Sequence, residues 1–277
     1  MHAGYLWLPG WSFGGEVFQP LRGLLPAAEA DLAADYTKAA GQEEFYAAAI
    51  AGVKELRSKH HTGAPLIAVG WSLGGMLALR LAADRLVDGA IVISAGARFV
   101  RSEQRGSASS RSGWDARQLE RMRTALSADR AGVEARFRSM ALDGCREDLA
   151  RRLLVRDGAC DRGRDRDHGR TFNTDLDQET SSAVSLMTRW SDAALDAGLQ
   201  WLIHEDLNPQ LPKVECPALF IHGSDDSICP ADKSADLVQS IPQAERMVLD
   251  GIGHAPFLTE PEYVSARIRR WLHDRLS

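Results

Sequence analysis

The stretch "LIAVGWSLGGMLALRL" (66–81) predicts a buried strand, a tight turn and a helix in direct succession. The apolar run before the first glycine is typical of a strand that is covered on both faces. The small residues of the turn let two backbone segments approach closely, and the N-terminus of the following helix favours developing negative charge. Ser72 stands at the apex, in a Gly-x-Ser-x-Gly pattern that holds a serine on a strained turn for nucleophilic attack. The context therefore makes Ser72 the candidate nucleophile.

A similar six-residue pattern occurs twice, as "GWSFGG" (10–15) and "GWSLGG" (70–75). The first copy lacks a helix directly after its serine, because a proline interrupts the segment that follows. A loop that leaves an early strand can instead donate a backbone N–H to an oxyanion hole. We therefore expect the main-chain N–H groups of Trp11 and Leu73 to form that hole, with Ser12 as a bystander. The alternative for Trp11 is an aromatic side chain that only packs.

The sequence also supplies an acid and a base in the chain order that a serine on such a turn requires. His254 lies in "DGIGHAPF", in a glycine-flanked loop just after the last predicted strand. Asp225 and Asp226 lie in "FIHGSDDSICP", after the preceding predicted strand. Spacing within that loop favours Asp226 as the acid, and Asp250 is a more distant choice. The acid would orient the imidazole ring and stabilise its charged form.

Short apolar runs alternate with helical patterns along most of the chain. The predicted strands cover residues 4–8, 29–36, 65–70, 89–96, 217–223 and 246–251, and the predicted helices cover 43–57, 75–85 and 260–276. This alternation predicts the α/β class, with a mainly parallel sheet, flanking helices and right-handed crossovers. The last helix is amphipathic, and we expect Tyr263 to lie on its apolar face.

Residues 98–204 interrupt the alternation and predict a helical cap, or lid. The cap would be inserted into a core domain formed by residues 1–97 and 205–277. A helix is predicted over about 181–204, whereas 157–170 is dense in glycine and in charges of both signs.

Composition narrows the class of protein further. The 277 residues are 44% hydrophobic. The first residues lack the basic and apolar regions of a signal peptide, so we expect none. Four widely spaced cysteines, Cys145, Cys160, Cys216 and Cys229, predict reduced thiols and a cytoplasmic location. The sequence has no dinucleotide-binding, phosphate-loop or paired-histidine motif, so we expect no cofactor and no metal.

Charge is distributed unevenly along the chain, whose net charge is −5. Residues 98–170 hold 18 arginines and no lysine, against 12 acidic residues. A basic segment on an acidic body can steer an anionic partner, although a general preference for arginine over lysine is the alternative explanation. Acidic residues interleave these arginines, so we expect no nucleic-acid partner. We also expect no membrane segment, because the longest uncharged stretch (60–79) is broken by proline and glycine.

Four stretches carry a specific resemblance: "LPGWSFGGEVF", "VGWSLGG", "AGLQWLIHEDLNPQLPKVECPALFIHGSDDSICP" and "GIGHAPFLTEPEYV". Together they resemble the α/β-hydrolase superfamily, and within it the esterases of biotin synthesis that hydrolyse pimeloyl-acyl-carrier-protein methyl ester. The resemblance implies an α/β-hydrolase fold with a helical cap and a serine carboxylesterase that forms an acyl-enzyme on the triad of Ser72, Asp226 and His254. The chain departs from the family in having Pro9-Gly10 in place of the usual His-Gly and in its trimmed N-terminal strands.

The resemblance also implies a substrate that is carried on an acidic carrier protein and docks on arginines of the cap. The candidate arginines are Arg136, Arg138, Arg146, Arg151 and Arg152. The candidate substrate contacts are Trp11, Trp71, Phe137 and Met140. Phe137 would line the acyl channel, and the alternative is helix core, since Val133 and Met140 share its predicted face.

The sequence also allows two other functions. Other hydrolases use the same triad on thioesters, lactones or carbon–carbon bonds, and a fold does not determine the reaction. A hydrolase scaffold can also serve as a binding module without catalysis. In either case we expect a monomer that handles a small acyl substrate.

Overall fold

The computed structural model of the chain describes residues 3–59, 63–101, 112–146 and 190–276. Within these ranges the strands are β1 (Gly4–Leu8), β2 (Ala30–Ala33), β3 (Leu66–Trp71), β4 (Gly89–Ile93), β5 (Ala218–Gly223) and β6 (Ala244–Leu249). They form one parallel sheet in the order β2-β1-β3-β4-β5-β6. The prediction of an α/β fold with a parallel sheet is therefore confirmed.

Helices follow the strands along the chain, and several of them pack against the sheet. They are α1 (Gln19–Arg22), α2 (Gln42–Lys59), α3 (Leu73–Ala83), α4 (Ala116–Ala141), α5 (Asp192–His204), α6 (Asp232–Ser240), α7 (Pro256–Thr259) and α8 (Pro261–Leu276). Two 3₁₀ turns cover Gly15–Phe18 and Asn208–Lys213. None of the helices in the described ranges has both the length and the apolar character that crossing a bilayer requires.

Strand β3, the first part of the segment 66–81, lies in the interior of the sheet. Every residue of β3 is buried, as expected for a strand with neighbours on both sides and helices packed against it. The register pairs Leu8 with Gly70 and Trp71 with Ile93. The carboxyl ends of β1, β3 and β4 therefore meet at one edge of the sheet, where loops of parallel α/β folds carry functional side chains.

Helices α4 and α5 lie in the chain between β4 and β5 and pack against each other. Helix α4 begins at a capping box in which the Asp115 side chain accepts from the main chain and Gln118 reaches back to Asp115. It is kinked at Asp129, whose φ of −144° and ψ of 62° are not helical. The inserted position of these helices is consistent with a cap, and the division into a core of 1–97 and 205–277 with a cap of 98–204 stays a prediction.

Two predictions about helices need correction. The helix expected from residue 181 begins at Asp192, because the Ser191 side chain accepts from the Ala194 N–H and caps it there. Residues 181–189 lie outside the described ranges, as does the charged stretch 157–170. Tyr263 is 62% exposed and does not belong to the buried face of α8.

Candidate active site

Ser72 lies on the sharp turn between β3 and α3. Its φ of 56° and ψ of −121° are unfavourable for a residue with a side chain, so the turn stores strain that the surrounding packing must offset. Only glycine fits the flanks: a Cβ on Gly70 would lie 2.1 Å from the Gly74 carbonyl oxygen, and one on Gly74 would lie 1.8 Å from the Leu8 oxygen. The Ser72 N–H donates to the Ile93 carbonyl at 2.9 Å, which ties the turn to the neighbouring strand.

Asp226 and His254 form a buried pair beyond the ends of β5 and β6. The His254 Nδ1 lies 2.9 Å and 2.8 Å from the two Asp226 carboxylate oxygens. Oδ1 of the same carboxylate accepts the main-chain N–H groups of Ile228 at 2.9 Å and Cys229 at 2.8 Å. Burial alone would raise the pKa of Asp226, but the charge and hydrogen bond of His254, with the Cys229 amide, hold this pKa below its usual value. The site therefore keeps an ionised acid beside the imidazole.

The other two candidate acids lie away from this pair. Asp225 and Asp250 are exposed, and the Ser224 hydroxyl lies 2.8 Å from the first carboxylate and 3.3 Å from the second. Of the three candidates, the structure brings Asp226 to His254.

The reactive atoms of Ser72 and His254 are not engaged in hydrogen bonds with any residue that the structure describes. The Ser72 Oγ and the His254 Nε2 are both buried, and neither has a hydrogen-bond partner within the described ranges. The Trp71 indole N–H donates to the His254 carbonyl at 2.8 Å, and the two rings are 5.5 Å apart. Since Trp71 directly precedes Ser72, this bond fastens the histidine loop to the serine turn. The arrangement suits a serine proton that passes to imidazole.

The loop after β1 lies directly on this turn; we call residues 10–14 the β1 loop. A Cβ on Gly10 would lie only 3.3 Å from the Ser72 Cβ, so the two glycine-serine motifs meet in space. Neither Trp11 nor Leu73 has an acceptor for its main-chain N–H among the residues that the structure describes. Both amides thus have the free donors that an oxyanion hole needs, and their role as donors stays a prediction.

Aromatic side chains surround the β1 loop. The Phe137 ring of α4 meets the Trp11 ring edge-on, at 4.9 Å and 85°, and both are buried. Trp71 is fully buried as well, so its side chain acts here as a packing and anchoring group. Met140 is 40% exposed, and Ala141 shares the buried face with Phe137 in its place. The prediction that Met140 lies on the same face is therefore wrong.

The arginines predicted to dock a carrier protein differ in how far their side chains are exposed to solvent. The Arg136 side chain is 66% exposed and pairs with Asp129 at 3.6 Å. Arg146 is also exposed. Arg151 and Arg152 lie outside the described ranges. Arg136 and Arg146 are therefore the described candidates that face solvent.

Arg138 is turned inward, which does not fit its predicted docking role. Its side chain is 12% exposed, and its guanidinium donates to the hydroxyl and the carbonyl oxygen of Ser12. The Ser12 hydroxyl in turn donates to Glu134 at 2.9 Å. Ser12 is therefore not an idle bystander, because it joins the β1 loop to α4.

A further buried histidine, His222, lies inside the strand predicted over 217–223 and is not among the predicted site residues. His222 in β5 is fully buried, and neither ring nitrogen has a hydrogen-bond partner within the described ranges. Burial lowers its pKa to about 4; the Asp226 charge acts in the opposite direction and His254 reinforces the lowering. Its position in an apolar strand could have predicted that the imidazole is buried. That the imidazole has no hydrogen-bond partner among the described residues depends on the tertiary packing and could not be predicted.

Neither a metal centre nor a disulfide is present in the described part of the chain. No three His, Cys, Asp or Glu side chains are grouped there to hold a metal ion. Cys145, Cys216 and Cys229 are free thiols, and Cys160 lies outside the described ranges.

The chain is similar to proteins of known families. A family model described as the alpha/beta hydrolase fold matches residues 34–261. The pimeloyl-[acyl-carrier protein] methyl ester esterase of Xanthomonas oryzae pv. oryzae is 32% identical over 213 residues, covering 75% of this chain and 71% of the relative. The Vibrio vulnificus protein of the same name is 26% identical over 257 residues, covering 92% and 88%.

Solved structures share the architecture at low sequence identity. A bromoperoxidase from Bacillus anthracis matches with a TM-score of 0.73 at 14% identity, covering 99% of this chain and 93% of that chain. An esterase from Exiguobacterium antarcticum matches with a TM-score of 0.66 at 16% identity, covering 98% and 92%. Likeness at this level of identity shows the fold alone. The family match and the curated relatives go further: the chain belongs to the alpha/beta hydrolase fold family and resembles the pimeloyl-[acyl-carrier protein] methyl ester esterases.

Proposed function

We propose that the protein is a serine carboxylesterase that hydrolyses a carboxylic methyl ester through an acyl-enzyme. The observation that carries this proposal is the buried Asp226–His254 pair beside a serine on a strained turn. The two atoms that would exchange the proton, Ser72 Oγ and His254 Nε2, are both buried and have no hydrogen-bond partner in the described residues. Such a constellation is defined by the roles of its members rather than by their order in the chain.

The proposed reaction has two steps. Ser72 Oγ attacks the ester carbonyl carbon while His254 Nε2 takes its proton, and the main-chain N–H groups of Trp11 and Leu73 stabilise the oxyanion. The tetrahedral intermediate then collapses, and His254 gives the proton to the departing alcohol. Water, deprotonated by His254, then attacks the acyl-enzyme, and His254 returns this proton to Ser72 Oγ as the acid leaves. Asp226 holds the proton on Nδ1 throughout, which keeps Nε2 ready to accept.

For the substrate we propose pimeloyl-acyl-carrier-protein methyl ester, which would give the protein a role in biotin synthesis. The similarity to pimeloyl-[acyl-carrier protein] methyl ester esterases and the arginine-rich insertion support this choice. An acidic carrier would meet the exposed Arg136 and Arg146 at a basic surface, and such surfaces raise the rate of encounter. We expect a cytoplasmic monomer.

The experiment compares methyl pimeloyl-carrier protein with the free monomethyl ester of pimelate. We expect kcat/KM for the carrier-bound ester to exceed that for the free ester by about tenfold or more. Changing both Arg136 and Arg146 to Glu should abolish this preference and leave the rate on the free ester intact. Arg270→Glu is the matched control, because that exposed side chain lies on α8. Equal rates for the two esters would refute carrier recognition.

A substrate panel separates the alternative reactions. Thioesters, lactones and carbon–carbon substrates test whether the same triad serves another reaction, since the fold does not exclude them. If none of these compounds is hydrolysed and Ser72 does not react with a fluorophosphonate, the scaffold is a binding module without catalysis.

A further inference from the structure

Two side chains of the segment between β4 and β5 hold the main chain of the β1 loop, one from α4 and one from just before α5. The Arg138 guanidinium donates to the Ser12 carbonyl oxygen, and the Trp190 indole N–H donates to the Phe13 carbonyl at 2.9 Å. These two carbonyl groups belong to the peptide units that follow Trp11 in the loop. The conformation of the loop at Trp11 is therefore set by side chains that come from outside the sheet.

A half-buried polar network backs this contact. The Arg138 Nε donates to the Ser12 hydroxyl at 2.9 Å, and that hydroxyl donates to Glu134 Oε1 at 2.9 Å. The other oxygen of Glu134 accepts from the Arg130 Nε at 2.9 Å. The Arg138 guanidinium also lies 5.5 Å above the centre of the Phe13 ring. Each polar group is thus satisfied by a partner in a fixed direction, which is what gives such networks their geometric specificity.

Ser12 is the strained residue of the β1 loop. Its φ of 68° lies in the left-handed region, which residues with side chains adopt only when their surroundings enforce it. Arg138 stabilises this conformation, because it donates hydrogen bonds to both the carbonyl oxygen and the hydroxyl of Ser12. The turn is closed by a hydrogen bond from the Phe13 N–H to the Gly10 carbonyl at 3.1 Å, which spans the peptide that carries the Trp11 N–H.

We propose that Arg138 and Glu134 are positioning residues that, through Ser12, aim the Trp11 N–H at the oxyanion. The oxyanion hole is then complete only while α4 is seated on the β1 loop, so seating of this helix and catalytic competence are coupled. Neither side chain touches the substrate in this scheme. The inference rests on the proposed function, since it assigns a purpose to the predicted donor at Trp11.

The hydrogen bond from the Trp11 N–H to the oxyanion would form in the transition state, and this timing determines which kinetic constant changes. An oxyanion donor acts on charge that develops in the transition state, so its displacement lowers kcat and leaves KM nearly unchanged. Complete removal of one donor costs ~10²–10³ in rate, and a donor that is displaced rather than removed should cost about 10- to 100-fold.

The test uses Arg138→Met, which keeps the length of the side chain and removes its donors. We expect kcat on a p-nitrophenyl ester to fall about 10- to 100-fold with KM within about twofold of wild type. Affinity for a trifluoromethyl ketone, which forms a tetrahedral adduct with the serine, should fall in parallel. Affinity for the primary alcohol that corresponds to the acyl group of the ester should not change, because that compound has no carbonyl oxygen to place in the oxyanion hole. A merely structural role for Arg138 would not separate these two affinities.

Arg123→Met is the matched control. Arg123 also lies on α4, but it pairs with Asp196 of α5 at 2.8 Å and with Glu120 of α4, both outside the β1 loop. We expect this variant to lose stability and to keep the kcat and the ketone affinity of wild type. If it loses both as Arg138→Met does, loosening of the helices explains the effect and the inference is wrong.

If Arg138→Met does not fold, two variants of Glu134 test the same positioning role. Glu134→Gln retains an oxygen that accepts from Ser12 and should keep kcat within about threefold, whereas Glu134→Leu should lose about tenfold or more. Equal activity of these two variants, or unchanged kcat in folded Arg138→Met, would overturn the inference. Failure of the proposed function is distinguishable, because Ser72→Ala would then hydrolyse the ester as fast as wild type.

Discussion

Acid should destabilise this fold through one histidine that lies outside the proposed triad. His222 is fully buried in β5, and neither of its ring nitrogens has a hydrogen-bond partner within the described ranges. Burial lowers its pKa from 6.5 to about 4; the Asp226 charge opposes the change, while His254 and Arg246 reinforce it. Because the folded chain binds this proton less readily than the unfolded chain does, protonation favours unfolding.

The size of the effect follows from the difference in pKa. A folded value of about 4 against an unfolded value of 6.5 corresponds to about 3 kcal/mol, since each pKa unit is worth about 1.4 kcal/mol. The stability that neutral His222 provides is intact above about pH 6.5 and is lost progressively as the pH falls toward 4. At about pH 5 the loss from this residue should already be about 2 kcal/mol.

Urea denaturation of wild type and His222→Phe at about pH 8 and pH 5 measures this contribution. We expect wild type to lose about 2 kcal/mol more of its free energy of unfolding than the variant does over this range. Phe220→Leu is the matched control: it removes buried volume from the same strand without removing a titratable group, so its pH profile should parallel that of wild type. Parallel profiles for wild type and His222→Phe would refute the reasoning.

Three further changes test the geometry of the site. Asp226→Asn should lower kcat by ~10³–10⁴ in steady-state assays, because an amide N–H facing Nδ1 fixes His254 in the wrong tautomer. Gly74→Ala should destabilise the fold by about 3 kcal/mol or more in urea denaturation, since its Cβ would lie 1.8 Å from the Leu8 oxygen. Trp71→Phe should lower the free energy of unfolding by about 1–3 kcal/mol, because a buried carbonyl loses its donor.

Each change has a matched control. Asp225→Asn alters the exposed neighbouring carboxylate and should keep full activity; equal losses at both aspartates would contradict the assignment. Gly41→Ala should cost little, because no atom lies within 4 Å of the added Cβ. Trp271→Phe removes an indole N–H that has no partner in the described residues, so it should cost less than Trp71→Phe. The hydrogen-bond argument fails if the two tryptophan changes are equally costly.

The sheet and the serine turn could be predicted from the sequence because their signals are local. The apolar run before Gly70, the glycines around Ser72 and the helical pattern after them each limit the backbone to few conformations. The order of serine, acid and histidine then follows from the strand order of the fold. The choice between Asp225 and Asp226 also followed from spacing, and the structure places the second beside His254.

The orientation of long side chains could not be predicted in this way. Arg138 and Arg136 lie two positions apart on α4, and nothing local distinguishes the one that turns toward Ser12 from the one that faces solvent. Positions 140 and 141 both suit the buried face by helical spacing. The structure buries Ala141 and leaves Met140 40% exposed. Such choices depend on tertiary contacts that are remote in the chain.

In the proposed mechanism Ser72 is a nucleophile that the buried Asp226–His254 pair activates. This role is tested most directly by mass spectrometry of the protein after reaction with a fluorophosphonate. We expect one adduct per chain, located on the Ser72 peptide, and a labelling rate that falls by about 10³-fold or more in His254→Ala. An adduct on Ser12, or an unlabelled Ser72 in the folded protein, would contradict it.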